Sequence, residues 1–129
     1  MNRFTALAGR ILVAVPFLVF GFAKIVQFQA VGQRLATMKI PMPTIATVII
    51  IIIEALGGLC LVIGFKTRFW AWIIFLYVIP VTFIQHRFWD YAGGQRMDEM
   101  AHFLKYIAIM GALLLLAAFG PGSLSVDKA

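Results

Sequence analysis

Charge is what this sequence has least of. Asp, Glu, Lys and Arg together make up 12% of its 129 residues, about half the share usual in a soluble domain. Only five of them are acidic. There is one cysteine, Cys60, which excludes an internal disulfide and any CxxC redox or zinc pair. Set inside an apolar block, it reads as a small buried side chain. Carboxylate dyads, nucleophile elbows, P-loops and dinucleotide fingerprints are missing, as are internal repeats and low-complexity segments. A basic face interleaved with aromatics is also missing. The sequence pI near 10.0 therefore does not point to nucleic acid as a partner.

Apolar residues fill the space that charge leaves. They account for 63% of the chain, and mean hydropathy is +0.99. They fall in four long blocks, each long enough to cross a hydrocarbon core. The expected spans cover about residues 6–28, 43–65, 68–86 and 101–119. This predicts a single all-α integral membrane domain, a four-helix antiparallel bundle with the lipid bilayer as its partner. Pro16 kinks the first span, which bilayer helices tolerate. Pro41 and Pro43 break the chain before the second. Gly120-Pro121-Gly122 ends the fourth. The first block is basic at its start but has no clean small-x-small cleavage site, so it reads as a retained span.

The basic residues sit where long side chains reach for headgroups, as at Arg3, Arg10, Lys24, Lys66, Arg68, Arg87 and Lys105. Basic residues divide almost evenly between the two sides. The tight Lys66–Arg68 pair tips the expectation toward both termini in the cytoplasm. Between spans one and two, Phe28, Val31, Leu35 and Met38 recur at helical spacing, with Gln33, Arg34 and Lys39 between them. That pattern predicts a short amphipathic helix on the membrane surface. Residues 87–100 read as a loop around a Gly-Gly turn. Trp70, Trp72 and Trp89 near span ends fit an aromatic belt.

One residue breaks the pattern. Glu54 lies mid-span in VIIIIIEALGG, where an ionisable group costs roughly 2.5–3.5 kcal/mol or more unless it is satisfied. Gly57 and Gly58 follow at i+3 and i+4, which allows a close helix neighbour. Arg10 and Lys24 are fourteen residues apart and fall within roughly 40° on one face of the first span. Ala14, Phe17 and Gly21 share that stripe. The expectation is a structural ion pair joining Glu54 to Lys24 or Arg10; separate snorkelling of the two cations is the plain alternative.

His86 closes the third span, and His102 and Lys105 open the fourth. Together with Lys24 they surround one mouth of the bundle. Lys24, Glu54, His86, His102 and Lys105 are the candidate binding residues, with Glu54 and His86 as candidates for proton handling. An anion or a quinone headgroup suits such a basic, aromatic pocket. Two histidines at matched depth raise bis-His haem, but nothing else marks a haem pocket, and no metal site is expected.

The ordered set of motifs resembles the DoxX family of small bacterial inner-membrane proteins. It comprises Arg10-Ile11-Leu12, Gly21 and Lys24 in the first span, and Glu54-Ala55-Leu56-Gly57-Gly58 then Gly64-Phe65-Lys66-Thr67-Arg68 in the second. His86 follows, then Phe103 and Lys105, running into Gly120-Pro121-Gly122-Ser123-Leu124-Ser125-Val126-Asp127. The resemblance covers nearly the whole chain. It implies four transmembrane helices and a loose association with respiratory and sulfur redox chemistry, through likeness to the DoxD subunit of thiosulfate:quinone oxidoreductase. It also implies a bacterial inner-membrane location and a redox partner protein. Four spans barely enclose a site, so a homo-oligomer is a further candidate. His102 is outside the shared pattern, which weakens haem further. Asp127 is a candidate cap for Arg68 or Lys66, with a solvated tail as the alternative. The leading expectation is a redox-associated membrane subunit using quinone or a small anion. A small transporter or permease, and a non-catalytic assembly factor, are the alternatives.

Overall fold

A computed structural model describes residues 3–85 and 88–127. Helix α1 runs Arg3–Val26 and α2 runs Phe28–Thr37. Next come α3 (Pro43–Ile51), a π-helical segment (Ile52–Leu56) and α4 (Gly57–Ile63), continuous with one another. Helix α5 covers Thr67–Gln85, a 3-10 turn covers Phe88–Asp90, and α6 covers Gly93–Phe119. No strand occurs among the described residues. Four of these stretches are long and apolar enough to cross a membrane: α1, Pro43–Ile63, the stretch from Thr67 that holds α5, and α6.

Helix α1 packs on the π segment and α4, α4 on α5, and α5 on α6. Ala14, Phe17, Leu61, Ala71, Ile74, Val78, Leu113 and Ala117 form the core. Outward-facing Leu12, Val19, Ile49, Leu76 and Leu115 are exposed. In a bilayer that exposure is lipid contact and carries no hydrophobic penalty. Two buried hydroxyls are satisfied within their own helices, Thr47 on the Pro43 carbonyl and Thr82 on the Val78 carbonyl, as a waterless medium favours.

Two expectations change. Residues 87–100 are not one loop, because α6 begins at Gly93. Gly93 takes φ +65° and makes the turn alone. The following Gln95, Arg96, Met97 and Glu99 are good helix formers, so the polar run extends α6 beyond its apolar part. The aromatics Phe83, Phe88, Trp89 and Phe103 pack edge to face or tilted around this turn, with ring centroids 5.2–6.4 Å apart. Helix α2, meanwhile, does not offer its whole apolar stripe to lipid. Val31 and Leu35 are buried, and α2 packs against α3.

Close approach fixes the α1 crossing. A Cβ at Gly21 would meet the Ala55 backbone nitrogen at 2.7 Å. Gly58 touches Leu18 on the same helix, whereas Gly57 faces Trp70 and Ile74 of α5. The two glycines after Glu54 therefore serve two different neighbours.

The segment after α6 folds back as a clasp. Val126 N–H donates to the Ile63 carbonyl at 3.0 Å and Asp127 N–H to the Gly64 carbonyl at 2.9 Å. The Asp127 carboxylate accepts from the backbone N–H groups of Lys66 and Thr67, both at 2.8 Å. It thus caps the start of α5 through the backbone, not through the side chains of Lys66 or Arg68. Lys66, held by this contact, has φ +48°, a conformation that non-glycine residues seldom adopt unaided. The hydrogen bond from the Thr67 N–H is the main reason the Asp127 carboxyl is held below the usual carboxylate range.

Two outcomes follow. Gly21→Ala lowers thermal stability in micelles by about 1–3 kcal/mol, the usual cost of overpacking; an unchanged melting curve contradicts the close crossing. Asp127→Ala costs about 1 kcal/mol, as loss of an N-cap does. A folded pKa below the unfolded one stabilises the protein above the unfolded value, and that stability is lost as pH falls through the folded value. The gap between parent and Asp127→Ala is therefore constant at neutral pH and closes in acid below the ordinary carboxylate value. A gap that persists there counts against the cap.

Candidate functional site

Glu54 sits in the middle of the π-helical segment and is 4% exposed. π turns are rare and concentrate at functional sites. Lys24, near the end of α1, donates to its Oε1 at 2.5 Å. The Tyr77 phenol of α5 and the Tyr106 phenol of α6 lie close to this carboxylate. The acid is thus surrounded by groups from three other helices. Lys24 also lies 5.7 Å from the Phe20 ring centroid, an added cation–π contact.

Beside this pair lies a cavity of about 510 Å³, a size that suits a small organic molecule. Pro16, Phe17, Phe20 and Ile109 form an apolar wall, and Lys24, Arg34, Glu54, His102, Lys105 and Tyr106 supply the polar side. Three cations face one carboxylate there. The lysines and the arginine can only donate hydrogen bonds, while Tyr106 can donate or accept. This is a donor-rich pocket for an acceptor-bearing or anionic guest.

Of the residues singled out from sequence, Lys24, Glu54, His102 and Lys105 line this one cavity. His86 lies outside the described residues. Arg10 is elsewhere. It is 2% exposed at the other end of α1, donating from Nη1 to the Pro121 carbonyl at 2.5 Å and from Nη2 to Leu124 at 2.8 Å and Val62 at 3.1 Å. Fourteen residues of helix separate it from Lys24 by roughly 21 Å. Glu54 therefore pairs with Lys24, and Arg10 spends its donors on carbonyls of α4 and the clasp.

Sequence reasoning missed Arg34 and Tyr77 as site residues. Arg34 lies on the polar edge of α2, and the burial of Val31 and Leu35 turns that edge toward the cavity. Tyr77 carries a polar tip within an apolar span, and that was its available signal. The π segment leaves no such trace in the residues.

Lys24→Met or Glu54→Leu alone should lower stability by about 3 kcal/mol, because each strands a buried charge. The double variant should be less damaged than the sum of the two, as measured by unfolding in detergent. Strict additivity would mean that the two groups do not interact.

A family model described as DoxX matches residues 5–87. The chain is 37% identical over 122 residues to the inner membrane protein YphA of Escherichia coli K12, covering 95% of this chain and 87% of that protein. It is 31% identical over 122 residues to the inner membrane protein YqjF of the same organism, covering 95% and 88%. It is also 30% identical over 121 residues to the ER-derived vesicles protein ERV29 of Saccharomyces cerevisiae, covering 94% of this chain but 32% of that protein. No solved structure matches. With most of its length matched by the family model and its four spans in place, the chain belongs to the DoxX family.

Proposed function

We propose that this protein is a redox-associated subunit of the bacterial inner membrane whose cavity takes a quinone headgroup. The observation that carries this reading is the pairing of an apolar wall with a buried acid–base pair in one cavity of about 510 Å³. A quinone ring and its first chain carbons fit against Phe17, Phe20 and Ile109. Its carbonyl oxygens accept from Lys24, Arg34, Lys105 or Tyr106. Reduction to quinol adds two electrons and two protons to the ring. Glu54 and His102 are the groups to pass the protons. The electrons come from a redox partner protein docked at that mouth. The location is supported by the inner-membrane relatives. Cytoplasmic termini are supported by the Lys66–Arg68 pair at the end that also holds the termini.

The three-to-one excess of cations favours one second reading, a permease for a small anion. The two separate in one set of experiments. Purified protein in lipid nanodiscs is titrated with a short-chain quinone, and tyrosine and tryptophan quenching is followed. Quenching saturates under the first reading, and Lys24→Met or Arg34→Ala weakens binding about tenfold or more, the value of one charge-assisted hydrogen bond. No saturable quenching overturns the quinone reading. Uptake of a small anion into proteoliposomes, abolished by Lys24→Met, would then establish the permease.

A further inference from the structure

A second cavity, of about 250 Å³, lies at the opposite end of the bundle between α1 and α6. Thr5, Ala6, Gly9 and Val13 line it from α1, and Ala112, Leu115, Leu116 and Phe119 from α6. Side chains there are small on one helix and apolar on the other, and the groove follows the span inward from the clasp. Arg10 borders it. The Arg10 guanidinium is 2% exposed and gives its Nη groups to three carbonyls, yet its buried Nε has no acceptor among the described residues. A buried N–H in a waterless medium needs an acceptor. At this depth, near the end of both spans, the acceptor a bilayer supplies is the ester carbonyl at the glycerol level of its lipids.

We infer that this groove is a site for a membrane glycerophospholipid, with one acyl chain lying between α1 and α6 along Gly9, Val13 and Ala112 and the ester carbonyl accepting from Arg10 Nε. Three observations meet in this occupant. The walls offer only apolar contact over most of the length, which suits an alkyl chain. A single uncommitted donor lies at the membrane-edge end, which suits one carbonyl. The charge of Arg10 favours the phosphate side of a lipid over a neutral hydrocarbon. This site is separate from the Lys24–Glu54 cavity and does not depend on what that cavity binds.

Gly9 gives a clean test, because a Cβ there meets nothing within 4 Å. Gly9→Leu therefore fills the groove without a clash in the fold. Gly111, equally open but not lining the groove, supplies the control as Gly111→Leu. Each protein is purified with Escherichia coli phospholipid, washed in detergent, and examined by native mass spectrometry. The parent and Gly111→Leu retain one phospholipid; Gly9→Leu loses it. A diacyl phospholipid also outcompetes its dialkyl ether counterpart by roughly fivefold, the factor one net hydrogen bond supplies. Equal retention by parent and Gly9→Leu, equal loss in both leucine variants, or no preference for ester over ether would each overturn the proposal.

Discussion

A hydrocarbon medium offers no water to a polar group, and this constraint organises the molecule. The chain places two kinds of charge inside its spans and meets the demand differently for each. Glu54 is answered by a side chain, Lys24, with the Tyr77 phenol nearby. Arg10 is answered by backbone, through the Val62 carbonyl near the end of α4 and the Pro121 and Leu124 carbonyls of the clasp. Helix ends always leave carbonyls without intrahelical partners. Here a buried guanidinium takes one such carbonyl and two from the clasp, so one side chain joins α1, α4 and the clasp.

The result is a bundle with two unlike ends. At the clasp end the polar groups are committed to structure: Asp127 caps α5, Gly64 supplies the left-handed turn, and Ser125 packs against it. At the other end they converge on open space. Lys24, Arg34, Lys105 and His102 come from α1, α2 and α6 and meet around one cavity. The division follows the topology. Tight connections, such as the one from Gly64 to Thr67, lie at the clasp end. The long crossover through α2 and the start of α6 lie at the cavity end, where extra backbone leaves room between helices.

Much of this was legible in the residues. Four apolar blocks and the prolines between them marked the spans, because a span must be both long and uncharged. Glu54 and Lys24 stood out because a charge at that depth is costly. Gly21 lies on the stripe shared by Arg10 and Lys24, and the Ala55 backbone packs against it. Other features lay beyond local pattern. That Lys24 rather than Arg10 meets Glu54 depends on the depth at which α1 crosses the π segment, and Arg10 instead meets a tail more than 110 residues away. The π segment has no local signature, since the isoleucines before it look like isoleucines in any span. Helix α6 started early because the helix-forming character of Gln95–Met100 outweighs its polarity outside the membrane.

The acceptors of Arg10 stand 111 and 114 residues after it in the chain. A ribosome working from the amino end therefore commits this cation to the lipid long before Pro121 and Leu124 exist. Before those residues are made, Val62 is the one of its three carbonyl partners already in place. The segment from Pro121 to Leu124 thus completes the solvation of a cation laid down far earlier in the chain, and changes in that segment are felt in α1 rather than locally.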